Sequence, residues 1–285
     1  MSNFDTLRKQ IPKIIVGSIK YSDYSRIPEE HPVKNRDALF QILKRSITAG
    51  SEGVVFYLYN EEFVEALNLF HREYPKIVKM LILKYEKLDY LVDLLEGLKF
   101  KPKVIFLDFS ITDQKDISLL EKYSSSISKY TENVGIYTIE PIGTVSIYIT
   151  SIPEIHVYMF PFNMLGIGLQ NRSMLEMIVN STENIYITSN PLADGRLKPN
   201  QAFDYIGTHK VHGTIIDLEE ADMMLETVKF AKYYFETHDF LQIALEFEDL
   251  AEVCENCGLG MHRYYPPTGG SWFFCPQCQT KKEKK

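Results

Sequence analysis

Two hydrophobic rhythms alternate along the chain. Short runs of β-branched and aromatic residues read as buried strands, and longer stretches with apolar residues three and four apart read as amphipathic helices. The strand-like runs fall at residues 13–20, 53–59, 77–84, 104–109, 134–140, 155–160, 184–189 and 212–217. Helical stripes separate them: Leu39, Ile42, Leu43 and Ile47; Phe63, Ala66, Leu67 and Phe70; Leu91, Leu94, Leu95 and Leu98; Leu119, Leu120 and Tyr123; Leu175, Ile178 and Val179; Met224, Leu225 and Val228. Punctuation agrees with this phasing. Gly50 stands where a helix ends, Asn60 where one is capped, and Pro199 where a first turn tolerates a missing N–H. Glu219, Glu220 and Asp222 crowd the start of the last helix, where the dipole favours carboxylates. One crossover, around residues 145–149, is short and weakly patterned.

Eight strand–helix units in about 225 residues predict an α/β fold, a (β/α)8 TIM barrel. An open doubly wound sheet is the runner-up, but it does not require such even spacing. Neither Gly-x-Gly-x-x-Gly nor a P-loop occurs. The barrel is expected over residues 1–235, with an acidic amphipathic linker helix over 236–253 (Leu241, Ala244, Leu245) and a separate small unit over 254–285.

That last unit holds all four cysteines of the chain: Cys254 and Cys257, then seventeen residues, then Cys275 and Cys278. Two C-x2-C knuckles at this separation present four thiolates to one ion, the pattern of a structural tetrahedral zinc site. The knuckles, with Gly258 after the first and Trp272 before the second, also resemble those of rubredoxins and the zinc ribbons related to them. Iron is therefore the alternative metal, and it would transfer electrons. Zinc closed by four sulfurs leaves no open position for catalysis. Disulfides would need an oxidising compartment, and residues 1–9 show no secretion signal, so a cytoplasmic location is the default expectation. His262 lies in the loop but is not needed as a fifth ligand. Tyr264, Tyr265, Trp272, Phe273 and Phe274 are expected to wrap this small unit and dock it, and the run 281–285 to be a solvated, disordered end.

Charge sharpens the division. The protein has 285 residues and a net charge of −7. Residues from Cys254 onward carry five Lys/Arg against two Asp/Glu, which leaves −10 for the rest. An acidic body argues against broad contact with nucleic acid. No apolar run reaches the ~18 residues of a membrane span.

In a barrel the active site gathers at the carboxyl ends of the strands. That rule nominates Lys20, Tyr59, Lys84, Asp108, Glu140, Asn163, Arg196 and Asp217. Several local motifs, in order, resemble the aldo-keto reductases. Gly53-Val-Val-Phe leads into Asn60-Glu-Glu-Phe-Val-Glu-Ala-Leu67, and Lys84 ends the third strand, where that family places a catalytic lysine. Pro161-Phe-Asn163-Met-Leu165 follows the sixth strand, and Ser189-Asn-Pro191-Leu-Ala-Asp-Gly195-Arg-Leu197 follows the seventh. The resemblance spans most of the barrel. It implies a nicotinamide cofactor, NAD(P), near Asn163, Ser189, Arg196 and Asp217, and an oxidoreductase acting on a small carbonyl or polyol.

Departures from the family pattern are informative. The place of the family's aspartate falls at about Leu58. Its tyrosine is matched by Tyr59 across a shortened loop, and its histidine is replaced near Thr112 and Asp113. The basic turn after the eighth strand is Asp217-Leu-Glu219-Glu220 here, which suits a ribose hydroxyl, and hence NAD, better than a 2′-phosphate. Three readings of the mouth stand open. Lys84 could lower the pKa of Tyr59 to give an acid pair, with Asp108 alongside. Lys84 could instead form a plain ion pair with Asp108. It could also be a Schiff-base nucleophile served by Asp108 or Glu140. The alternative function is a scaffold that has lost its catalytic set and works through protein contacts. His156 and His212, inside strand patterns, are expected to be core or near-core residues.

Overall fold

The computed structural model describes residues 3–169, 171–218, 221–237, 262–264, 272–274 and 281–283. Eight parallel strands close a barrel in chain order: β1 (Ile14–Ser18), β2 (Gly53–Tyr57), β3 (Val78–Leu83), β4 (Val104–Leu107), β5 (Asn133–Tyr137), β6 (Val157–Pro161), β7 (Ile185–Ser189) and β8 (Gly213–Asp217). Closure is explicit in the register, since Val16 of β1 lies opposite Val54 of β2 on one side and Ile216 of β8 on the other. The expected barrel is thus the observed one.

Strand parity separates two cores. Ile15, Val55, Met80, Ile82, Phe106, Met159 and Ile187 point inward and fill the barrel, while Val16, Phe56, Leu81, Ile105 and Phe160 point outward against the helices. Both faces of each strand are therefore buried, which explains why the strands read as continuous apolar runs. Gly135 shows how tightly the interior is filled. A Cβ there would come within 2.7 Å of the Phe106 ring, so the glycine makes the ring's space.

The helices begin with α1 (Asn3–Gln10), α2 (Arg36–Ala49), α3 (Glu61–Glu73) and α4 (Leu88–Glu96). They continue with α5 (Phe109–Thr112), α6 (Ile117–Ile127), α7 (Pro141–Ser151), α8 (Arg172–Ser181), α9 (Pro199–Gly207) and α10 (Ala221–Thr237). Asn60 caps α3 through its carboxamide oxygen, which accepts from Phe63 N at 2.9 Å, and Gly50 closes α2 at φ +125°. Pro199 is the first residue of α9.

Two elements depart from the expectation. The weak crossover after β5 is a full helix, α7, of 11 residues. Its apolar residues lie all round the cylinder (Ile142, Val145, Ile147, Tyr148, Ile149), so no one-sided stripe marks it. The second departure is α1, which seals the amino end of the barrel. Its Leu7, with Ile11 just beyond, joins the inner core, and the His212 ring bonds Ile11 O at 2.8 Å. His156 meets the Phe4 ring edge-on at 5.4 Å. The two histidines thus belong to the sealed end, as expected of near-core residues.

Among the described residues of the tail, β9 (His262–Tyr264), β10 (Trp272–Phe274) and β11 (Lys281–Glu283) form an antiparallel sheet with β10 in the middle. Residues 281–283, expected to be a disordered end, are paired in a strand. Cys254, Cys257, Cys275 and Cys278 lie outside the described residues, as does most of the expected linker helix. None of the described helices is long and apolar enough to cross a membrane.

Candidate functional site

The strands are shorter than their hydrophobic runs, so Lys20, Tyr59, Lys84, Asp108, Glu140 and Asn163 stand one to three positions beyond the strand ends, Asp217 is the last residue of β8, and Arg196 lies farther along the loop after β7. Parity then decides which of them face the axis. Tyr59 continues the inward series of Val55 and Tyr57, Lys84 that of Met80 and Ile82, Asp108 that of Val104 and Phe106, and Asp217 that of Ile215. Leu58, at the place of the family's aspartate, is buried in the outer core.

The expected acid pair of Tyr59 and Lys84 does not form. The Tyr59 hydroxyl donates to Tyr21 O at 2.8 Å, and Lys84 Nζ sits 3.2 Å from Glu86 Oε1 at the half-exposed rim. Burial raises the Tyr59 phenol well above its ordinary range, and the charge of Asp217 pushes the same way. A phenol in this setting stays protonated at neutral pH. The plain ion pair of Lys84 with Asp108 is absent for the same reason, because Lys84 pairs with Glu86 instead.

Asp108 is fully buried and saturated by its own neighbourhood. It caps α5, accepting from Ser110 N at 2.9 Å and from the Ser110 hydroxyl on Oδ1, and from the Tyr57 hydroxyl at 3.3 Å on Oδ2. Burial pushes its carboxyl up, and these hydrogen bonds and the charge of Lys84 pull it back. Asp113, near the family's histidine position, is also structural: it accepts from the hydroxyls of Thr138 and Thr144 and from Ile139 N at 3.0 Å, tying the end of β5 to α7. Glu140 pairs with Lys115 at 2.7 Å, which removes the partner a Schiff-base lysine would need from Lys84's side of the mouth.

The other side of the mouth is open. A cavity of about 600 Å³ lies between the ends of β7, β8 and β1, the loop after β7, and the inner face of α10. Tyr137, Pro161, Ser189, Ile215 and Asp217 line its deep part; Lys20, Leu192, Asp194 and Gly195 line its rim. Of the four residues expected to hold a cofactor, Ser189 and Asp217 line this cavity. Arg196 is exposed on the loop outside it, and Asn163 is wholly buried, its carboxamide clasping Ile167 N and O and reaching Asn190 O at 3.3 Å. Tyr59, Lys84 and Asp108 are not among the lining residues.

The loop after β7 is shaped by four left-handed residues, Asn190, Ala193, Asp194 and Gly195. The Asn190 side chain pays for this conformation: its Oδ1 accepts from Asp194 N at 2.8 Å, and its Nδ2 donates to the Asp194 carboxylate at 3.0 Å. Asn and Asp adopt αL at less cost than Ala193 does, and Leu197 N closes the loop onto Leu192 O at 3.0 Å. Gly195, at φ +75°, has no atom within 4 Å of the place a Cβ would take, so its backbone faces open space.

Tyr137 is the functional candidate that reasoning from the sequence passed over. It is the last inward residue of β5, nearly buried, and it forms part of the cavity floor. Burial and the charges of Asp108, Asp217 and Asp113 hold its phenol well above the ordinary range, and the nearby Ser189 hydroxyl pulls weakly the other way. The alternation of Gly135 and Tyr137 with Ile136 marks it as inward-facing, and only the cavity makes it a candidate.

No protein-family model matches this chain, and no curated protein sequence does. Solved structures do match in fold. A candidate aldo-keto reductase from Pseudomonas aeruginosa is 13% identical, with a TM-score of 0.57 over 78% of this chain and 90% of that one. An aldo-keto reductase from Brucella melitensis is 12% identical, with a TM-score of 0.54 over 82% and 95%. The Bombyx mori aldo-keto reductase, solved in complex with NADP, is 10% identical, with a TM-score of 0.53 over 84% and 89%. The chain therefore has the closed eight-stranded barrel fold that these reductases have.

Proposed function

We propose that the protein is a nicotinamide-dependent oxidoreductase of aldo-keto-reductase type, acting on a small carbonyl compound whose reduction product is an alcohol or polyol. The observation that carries this reading is the cavity between β7, β8 and β1. Its volume is ordinary for a small-molecule site. The loop along its rim is the stretch that resembles the family, and Gly195 offers open backbone to which a pyrophosphate can come close. Ser189, Lys20 and the backbone of Gly195 would hold such a cofactor, and Asp217 suits a ribose hydroxyl better than a phosphate, which favours NAD over NADP. When bound, the cofactor supplies or accepts the hydride.

The chain's own contribution is the proton. Tyr137 stands at the cavity floor, and Ser189 lines the same cavity. A developing alkoxide is about as basic as hydroxide and far more basic than a phenolate. Even a raised phenol therefore donates to it downhill. The same phenol is a poor base at neutral pH, so reduction suits this site better than alcohol oxidation. Ile19, Ile215 and Pro161 exclude water from the floor.

A second reading, a scaffold working through protein contacts, draws support from the mouth's other side. Tyr85, Tyr90 and Ile139 are 55%, 40% and 43% exposed on or beside the loops after β3 and β5. In either reading we propose that the four cysteines hold a structural zinc ion, with iron as the alternative. Titration of NADH and NADPH followed by protein fluorescence separates the two functions. Saturable quenching is expected, and no response to either cofactor would sink the oxidoreductase reading. Elemental analysis of the same sample should give one zinc per chain.

A further inference from the structure

We propose that α7 and α8 form the face on which a second copy of this chain docks, giving a two-fold symmetric dimer. The inference stands apart from the cofactor reading above and does not depend on it.

The face is set apart by missing charge. Between Glu140 and Glu183, three of 42 residues are Asp, Glu, Lys or Arg: Glu154, Arg172 and Glu176. The chain as a whole is 24% charged, so about ten would be expected there. The fold takes two of the three away from the surface. Arg172 is buried, with its Nε 2.9 Å from Glu176 Oε1 and its guanidinium donating to Met164 O. Glu176 also accepts from the Tyr205 hydroxyl of α9 at 2.7 Å, so its carboxylate is engaged within the chain. Glu154 stands beyond the end of α7, in the connection to β6.

The helices α7 and α8 pack side by side, and no exposed residue on either carries charge. On α8 the exposed residues are Met174 and Met177, at 45% and 60%, with Asn180 and Ser181. On α7 they are Ser146, Thr150 and Ser151. The Ser146 hydroxyl donates to Ile142 O at 2.7 Å and that of Thr150 to Ile147 O at 2.9 Å. These hydroxyls are satisfied by their own helix and ask less of water. Ile142, Ile147, Ile149 and Ile178, all half-buried, flank them. The other helices around the barrel differ. Charged side chains are exposed on α2, α3, α4, α6 and α10; α3 alone shows Glu61, Glu62, Glu65, Arg72 and Glu73. Single exposed apolar residues are ordinary, but a contiguous uncharged and apolar face marks a contact.

Charge also identifies the occupant. Residues 1–253 carry −10, so two copies repel each other over most of their surfaces. In an isologous contact the same patch faces itself, and any net charge on it would meet its own sign. An uncharged face is what that symmetry requires. A foreign partner drawn to an acidic body would be met by carboxylates instead. The rim is balanced too. Lys115 pairs with Glu140 at 2.7 Å just before α7, and Lys210 pairs with Glu183 at 3.2 Å just beyond α8. The helices, of 11 and 10 residues, are about 16 Å long and about 10 Å apart. They offer on the order of 600 Å² per copy, the lower end of a specific interface. No residue of either helix lines the cavity, so the cavity is not part of the contact.

The test is sedimentation equilibrium of the full chain, for the natural protein and for Met177→Lys, Ser146→Lys and Tyr85→Lys. We expect a monomer–dimer equilibrium with a Kd of ~1 µM or tighter. M177K and S146K each bring like charges to the contact from both copies and should raise the Kd ~100-fold. Y85K, at a similarly exposed position on the loop after β3, should leave it within about twofold. A natural protein that stays monomeric overturns the inference; if that monomer floats with neutral phosphatidylcholine vesicles, the face belongs to a membrane surface instead. A dimer that survives both M177K and S146K, or that Y85K alone breaks, places the contact elsewhere and overturns it as well. Circular dichroism checks that each variant is folded, and should one of the two misfold, the other decides.

Discussion

The two halves of the barrel mouth are built from similar residues and end in opposite states. On the β2–β4 side, Tyr59, Asp108 and Lys84 each find a partner in their own chain: Tyr21 O, the Ser110 and Tyr57 groups, and Glu86. On the β7–β8–β1 side the loop after β7 satisfies its polar groups internally, through Asn190, and curls away, which leaves a cavity of about 600 Å³. A polar rim residue is thus informative about chemistry only when it faces space. Where the chain has met its hydrogen-bonding needs, the same residue type is part of the architecture.

The comparison can be broken most directly at Tyr137. Tyr137→Phe should cut turnover by ~100-fold or more with little change in cofactor affinity, because the lost hydroxyl acts on the developing alkoxide. Lys84→Met, on the closed side, should stay within about threefold of the natural rate. Steady-state kinetics with a panel of small aldehydes would decide, and the reverse ranking would return the chemistry to the β2–β4 side.

The closed side should instead answer in stability. Asp108→Ala removes a cap and strands the buried Tyr57 hydroxyl, at a cost of about 2–3 kcal/mol. Urea midpoints would show it, and a change below about 0.5 kcal/mol would mean that the cluster is not the support described here.

The smallest effect belongs to the sealed amino end. Burial, with help from Arg8 and Lys13, pushes the His212 ring down to about 4 from 6.5. Below pH 6.5 the unfolded chain binds a proton that the folded one refuses. His212 therefore contributes stability above pH 6.5, and this is lost as pH falls toward about 4. His212→Asn should flatten that stretch of the urea-midpoint profile; a profile as steep as the natural one would assign the acid sensitivity elsewhere.

Much of this fold is written in local patterns. The eight strands were visible because parallel strands buried on both faces must be apolar throughout, and Gly50, Asn60 and Pro199 mark helix ends by backbone chemistry alone. The helix α7 escaped because its apolar residues encircle it, and α1 because Phe4 and Leu7 are too few to make a stripe. At the mouth, sequence could nominate strand ends but could not tell which groups would be satisfied. The bond from Tyr59 to Tyr21 O and the pairing of Lys84 with Glu86 depend on where loops fall in space. Tyr137 was hidden for another reason: as the end of an apolar run it looked like packing, and only the cavity above it changes that reading.

The bond between His212 and Ile11 O joins residues 201 positions apart. It latches the end of α1 to the start of β8, so α1 is fully seated only once β8 is in place. On a ribosome, α1 would wait through nearly the whole synthesis of the barrel before docking, and contacts of such long sequence separation slow folding.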